Sequence, residues 1–286
     1  MNFHKVKGGD DNIIYSPIGH LMDSNKQMTS GVYSIFDCSA PMEAFRPGFR
    51  PIKEGDKLIK FTSGVMEDML AKIGLFFSEE VKQKYSDLKV THKMGIILHG
   101  PPGTGKTALA RLLMEQEVET HGAICRDFTN RGLGEIIHTI SLIRKEQDTP
   151  IIIFYDEFEE IADDVFLLTF LDGMYSFSNV VFMGCTNFPD QIPKRVIDRK
   201  SRIKHTFKIK SLESAIYKEY IAEKLPKLEK ESLDKFVYLA SEADLTIDQL
   251  KNAIIDFHVD GVKMEKAIKE AKKVIDTPPG LEEEDD

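Results

Sequence analysis

Along the middle of the chain, unbroken apolar runs alternate with stretches whose apolar residues recur three and four positions apart. Residues 94–98, 150–155 and 180–185 are such runs, the pattern of strands buried on both faces of a parallel sheet. Residues 122–128 read as one more strand. Helical spacing marks residues 108–114, residues 133–145, where Ile136, Ile140 and Ile143 share a face, and residues 165–171. Residues 64–86 carry the same period through Val65, Met69, Ile73, Val81 and Tyr85, ahead of the first run. Strands alternating with helices across short loops predict a doubly wound α/β domain with its ligand at the carboxyl ends of the strands.

From Leu212 the pattern changes to helices alone, at residues 212–225, 233–240, 246–257 and 262–275. Ile247, Leu250, Ile254 and Phe257 line one stripe of the third. This predicts a small all-α domain after the sheet. Toward the start, Gly31–Asp37 and residues 57–61 read as short strands. Between them Phe45-Arg46-Pro47-Gly48-Phe49-Arg50-Pro51 reads as a loop, either a partner-binding tip or a packed connection. The expected organisation is therefore an N-terminal segment with short strands (1–60), a nucleotide-binding α/β domain (61–210), a helical lid (211–276) and an acidic tail (277–286).

Composition adds mainly exclusions. Among 286 residues, 42% are hydrophobic and 30% charged, which is ordinary for a globular protein, and the formal net charge of −9 opposes binding of nucleic acid through bulk electrostatics. Cys38, Cys125 and Cys185 lie far apart, fit no zinc spacing and are expected to be buried free thiols in a reducing compartment. No apolar run approaches the ~20 residues that span a bilayer, and Met1 to Val6 lacks a signal-peptide core. A cytoplasmic protein without membrane insertion is expected.

The chemistry centres on Gly100-Pro101-Pro102-Gly103-Thr104-Gly105-Lys106-Thr107, set between the run at 94–98 and a helix that Ala108 continues. A strand, glycine-rich loop and helix in this order turn backbone N–H groups and the positive end of a helix dipole toward one spot, which suits a triphosphate. Lys106 is expected to reach the β- and γ-phosphates of ATP, and the Thr107 hydroxyl to hold Mg²⁺. Asp156 and Glu157 end a buried run 49 positions after Thr107. An aspartate there can hold Mg²⁺, and the glutamate beside it can polarise the attacking water. Asn187 closes the next run, where a neutral amide can orient that water without competing for the metal.

Five stretches in order carry a resemblance: 100–107, 151–157, Leu168-Thr169-Phe170-Leu171-Asp172-Gly173, Cys185-Thr186-Asn187 and Arg199-Lys200-Ser201-Arg202. Together they resemble the AAA+ ATPases, and most of all the narrower AAA group of protein unfoldases, membrane-protein extractors and the mitochondrial translocase of folded Rieske protein. The resemblance spans residues 64–275. It implies a P-loop NTPase fold with a helical lid, and a homo-oligomeric ring, usually a hexamer, with ATP held between neighbours. It also implies a sensor-1 role for Asn187, and arginine fingers at Arg199 and Arg202 that reach the adjacent subunit's site. An arginine supplied in trans neutralises charge developing on the γ-phosphate. Read from composition alone, the basic stretch 194–210 is an ordinary basic surface, with a nucleic-acid patch as the lesser rival.

Two departures from the family matter. Threading members place an aromatic, an apolar residue and a glycine in the first pore loop, where this chain has Asn130-Arg131-Gly132. The position of the sensor-2 arginine in other clades reads Thr246-Ile247-Asp248-Gln249-Leu250. The expected function is Mg-dependent ATP hydrolysis by a ring that remodels a protein client. The alternatives are a DNA-acting motor or loader and a nucleotide-gated scaffold without useful turnover.

Overall fold

The computed structural model describes residues 4–7, 13–16, 28–37, 47–52, 64–128, 132–172, 177–209 and 214–273. They fall into two compact units. One holds the N-terminal strands, Val65–His99 and Thr107–Lys208; the other holds Gly100–Lys106 and the helices that follow Ile209.

The first unit is organised on a sheet of nine strands: β1 (His4–Lys7), β2 (Ile13–Ser16), β3 (Gly31–Asp37), β4 (Pro47–Pro51), β5 (Lys93–His99), β6 (Ile124–Asp127), β7 (Ile151–Tyr155), β8 (Val180–Thr186) and β9 (His205–Lys208). Their order in space is β1-β2-β4-β3-β6-β7-β8-β5-β9. The six from β3 to β9 in that order run parallel, and β4, β2 and β1 extend one edge antiparallel. Every residue of β7 and β8 is buried, because helices cover both faces of a parallel sheet. The helices of this unit are α1 (Gly64–Phe77), α2 (Glu79–Asp87), α3 (Lys106–His121), α4 (Leu133–Glu146), α5 (Val165–Asp172) and the short α6 (Lys194–Ile197). Ile140, Ile153, Phe158 and Phe182, each at most 2% exposed, belong to its core. Each such side chain contributes roughly 1.5–3 kcal/mol through burial.

Three expectations change. The helical period over 64–86 is two helices, because Ser78 stops the first and caps the second, its Oγ accepting from Val81 N at 3.4 Å. The doubled Phe-Arg-Pro stretch, expected to be a loop, contains the strand β4. Its two prolines sit at the strand ends, where a missing N–H is tolerated, and its register with β3 runs from Tyr33↔Pro51 to Asp37↔Pro47. Phe49 in its centre is fully buried and carries the Arg126 guanidinium 3.8 Å over its ring, so the centre of this stretch is packed and presents no aromatic tip. The strand β9 is unforeseen, since His205-Thr206-Phe207-Lys208 is too polar to read as a buried run; it pairs with β5 alone at the sheet edge. The expected strand at 57–61 lies outside the described residues, as does Cys38. Cys125 and Cys185 are buried and not joined in a disulfide.

The second unit contains α7 (Ser214–Lys224), α8 (Lys230–Glu242), α9 (Ile247–His258) and α10 (Met264–Lys273). Tyr217, Ile221, Phe236, Leu250 and Ile268 share its core. The Tyr217 hydroxyl donates to the Leu245 carbonyl at 2.6 Å, so its polar end is satisfied inside the apolar cluster. A capping box starts α9: Thr246 Oγ1 accepts from Gln249 N, and Gln249 Oε1 accepts from Thr246 N at 2.9 Å.

Candidate nucleotide site

In the sheet unit, β7, β8 and β5 are neighbours, so the residues that follow their carboxyl ends converge. Thr107, in the first turn of α3, donates its hydroxyl to Asp156 Oδ2 at 2.6 Å. The other carboxylate oxygen, Oδ1, accepts the Glu157 N–H at 3.1 Å. Glu157 is exposed and left-handed at φ 54° and ψ 48°, a conformation that a non-glycine residue keeps only when its surroundings fix it. Phe158 fixes it here. Its ring is fully buried against Gly184 of β8, where an added Cβ would meet Phe158 Cγ at 2.8 Å. The chain must therefore turn sharply after Asp156, leaving the Glu157 carboxylate toward solvent.

Asn187 follows β8 and is half-buried; its Oδ1 is enclosed and has no hydrogen-bond partner. Next to it, Thr186 Oγ1 accepts the Phe188 N–H at 2.9 Å, which anchors the turn. A buried acceptor held in place without a partner is what a site for an additional hydrogen-bonding group presents.

The other unit contains the loop Gly100–Lys106. Lys106 is 6% exposed. Its Nζ donates to the carbonyls of Gly100 at 2.9 Å and Pro101 at 2.7 Å, while Thr104 Oγ1 donates to Pro101 O at 2.8 Å. Gly103 and Gly105 have φ of 74° and 83°, and both are pressed by the start of α9. A Cβ on Gly103 would meet Thr246 Oγ1 at 2.9 Å, and one on Gly105 would meet Ile247 Cδ1 at 2.5 Å. Ile247 N donates to Gly103 O at 3.1 Å. The loop therefore needs glycine at these positions for backbone angle and for space. Sequence reasoning marked 246–250 only for the arginine it lacks and missed its packing on the loop.

These residues fit Mg²⁺ and a triphosphate. A hydroxyl and a carboxylate, already in contact, form the hard oxygen donor set Mg²⁺ prefers, and a loop with no side chain at Gly103 and Gly105 lets backbone approach phosphate. Among the described residues there is no cluster of three or more histidine, cysteine or carboxylate groups that could hold a metal independently.

Arg199 and Arg202 have different settings. Arg199 is exposed. Arg202 is 7% exposed and bidentate on Asp172, with Nε to Oδ1 and Nη2 to Oδ2 both at 2.6 Å, and its Nη1 donates to the Arg195 carbonyl. Hydrogen bonding to Arg202 holds the Asp172 carboxyl below the usual aspartate range. Asp172 lies within the sequence stretch 168–173, but nothing in the sequence paired it with Arg202. Asn130 and Arg131 lie outside the described residues. Gly132 starts α4, and Phe128, the nearby aromatic, is fully buried.

Residues 96–211 match the family described as ATPase family associated with various cellular activities (AAA). A proteasome-associated ATPase of Mycolicibacterium gilvum is 27% identical over 215 residues, covering 61% of this chain and 34% of that protein. The proteasome-associated ATPase of Mycobacterium leprae is 29% identical over 185 residues, covering 51% of this chain and 30% of that protein. An ATPase family AAA domain-containing protein of Arabidopsis thaliana, At1g05910, is 28% identical over 204 residues, covering 63% and 16%. The matched part of this chain thus spans about a third or less of these relatives.

Proposed function

We propose that this chain, whose residues 96–211 match the AAA ATPase family, hydrolyses ATP as a homo-oligomeric ring, with six subunits expected, that remodels a protein client. The observation that carries the nucleotide site is the 2.6 Å hydrogen bond from Thr107 to Asp156. It brings the last residue of the phosphate loop to the carboxylate at the end of β7, the two groups that hold Mg²⁺ in such sites.

The loop 100–107, with Ala108, binds the triphosphate, and the Lys106 amine, a three-donor cation, is its charged partner. Mg²⁺ held by Thr107 and Asp156 would supply charge neutralisation of the phosphate oxygens. Glu157, solvent-facing in its fixed turn, accepts the proton of the attacking water on its carboxylate. Asn187 orients that water with its amide. Arg199, exposed on the turn after α6, acts on the site of the neighbouring subunit as charge builds on the γ-phosphate.

Relatives named for the proteasome support a protein client. No helix among the described residues is long and apolar enough to cross a membrane. We place the ring in the cytoplasm, in keeping with two buried cysteines, Cys125 and Cys185, that are not joined in a disulfide.

The test combines nucleotide binding, phosphate release and sedimentation. Lys106→Ala should lose Mg·ATP binding, and turnover per subunit should rise with protein concentration as rings form. Parent-like affinity in Lys106→Ala would remove the loop from the site. A rate that is independent of concentration in a strictly monomeric species would remove the ring.

A further inference from the structure

We propose that Arg202 is a positioning residue within its own subunit: with Asp172 it forms a brace that holds the turn displaying Arg199. This rests on the assignment of Arg199 to the neighbour's site. A residue that must extend from the surface to another subunit is poorly served by the setting of Arg202. Three of its donor groups are committed, two to Asp172 and one to the Arg195 carbonyl, and the side chain is 7% exposed. To reach outward it would break a bidentate ion pair and strip a backbone carbonyl of its partner, with nothing gained until the neighbour's phosphate was met.

The backbone is fixed as firmly as the side chain. Gly95 of β5 has no room for a Cβ, which would lie 2.2 Å from the Arg202 carbonyl oxygen. Lys204 N donates to Gly95 O at 2.8 Å. Residue 202 is thereby held against β5, the strand next to the sheet edge. At the other end of the turn, the Arg199 carbonyl accepts from Arg202 N at 2.8 Å and Ile203 N at 3.1 Å. The Arg202 side chain ties the end of α5, through Asp172, to α6, through the Arg195 carbonyl. Both tethers flank Arg199, whose own side chain stays exposed.

Asp172 also feels the charges of Arg199 and of Lys93 at the start of β5, and Lys93 lines the same small cavity as Arg202 together with Phe170, Phe177 and Phe182. Its amine donates to the Phe170 carbonyl at 3.5 Å, and burial lowers its pKa to about 8. It is a weaker partner for the carboxylate and does not replace the fork of Arg202. The carboxylate is thus matched to a planar guanidinium.

The experiment measures ATP turnover on the full chain for Asp172→Asn, Arg202→Ala, the double variant, the charge-exchanged pair Asp172→Arg/Arg202→Asp, and Arg199→Ala. For a brace, Asp172→Asn and Arg202→Ala each lower kcat by about tenfold with KM little changed, and the double variant is no worse than either. The exchanged pair restores a large part of kcat, which a carboxylate at position 202 could not do if that position acted on phosphate. Parent-level turnover in Asp172→Asn combined with loss in Arg202→Ala overturns the brace, because it would show the arginine working without its partner. If the exchanged pair does not fold, the comparison of Asp172→Asn with the double variant still decides: additive losses overturn the brace and shared losses support it. Unchanged turnover in Arg199→Ala instead removes the finger assignment itself, whatever the pair does.

Discussion

Replacing Gly105 with alanine tests how tightly the start of α9 is built against the phosphate loop. Two costs add. At φ 83° an L side chain is strained, worth roughly 1–2 kcal/mol. Independently, the new Cβ would lie 2.5 Å from Ile247 Cδ1 and 3.5 Å from its Cγ1, where carbon pairs settle at about 3.5–4.0 Å. The nearer atom is the tip of a flexible side chain, so it can rotate away, at the cost of the packing that Ile247 provides. Overpacking of this kind costs about 1–3 kcal/mol. Gly105→Ala should thus lose roughly 2–5 kcal/mol in urea denaturation. Ile247→Ala alone costs its own packing; combined with Gly105→Ala it removes the clash but leaves the backbone strain. The double-mutant cycle should therefore show a coupling of about 1–3 kcal/mol in the rescuing direction. Losses that add to within about 0.5 kcal/mol would refute the contact.

Arg126→Met should raise the melting temperature, because the guanidinium is fully buried over the Phe49 and Tyr33 rings, with Nε and Nη1 unpaired, and an apolar side chain of similar length avoids that desolvation; a fall of several degrees would show that the ring contacts outweigh it. Burial lowers the Lys93 amine to about 8 from its ordinary 10.5, so between these values the unfolded chain holds more protons and stability should rise with pH. Lys93→Met should flatten that rise in denaturation curves between pH 8 and 10.5; an unchanged slope would contradict the assignment. Mixing Arg199→Ala with Lys106→Ala should restore some ATP turnover, since an intact loop can then face an intact finger across a subunit boundary; a mixture no better than the sum of its parts would place Arg199 outside the trans contact.

The legible parts of the fold were those with a strong period or a strong run. The strands β5, β7 and β8 carry unbroken apolar runs because both of their faces are covered, and α9 shows its stripe because only one face is. The strand β4 was missed because its prolines read as loop punctuation, although at strand ends they cost the ladder little. The strand β9 was missed because a short polar strand is specified by its neighbour β5 rather than by its own composition. Within the site, the order of loop, carboxylates and amide could be read from spacing alone. The direct contact of Thr107 with Asp156 follows from sheet order, which spacing does not give. The pairing of Asp172 with Arg202 depends on the end of α5 meeting the segment beside β5, 30 residues later, and leaves no local trace. The packing of Ile247 on Gly105 is invisible for the same reason.

The central claim is that Glu157, held solvent-facing by its left-handed turn beside Asp156, is the base for ATP hydrolysis. The direct measurement is Mg·ATP affinity and single-turnover hydrolysis for Glu157→Gln, which keeps the shape of the side chain and removes its basicity. The expected result is affinity within about threefold of the parent with hydrolysis slowed at least ~100-fold. Hydrolysis at the parent rate with intact binding would contradict the account.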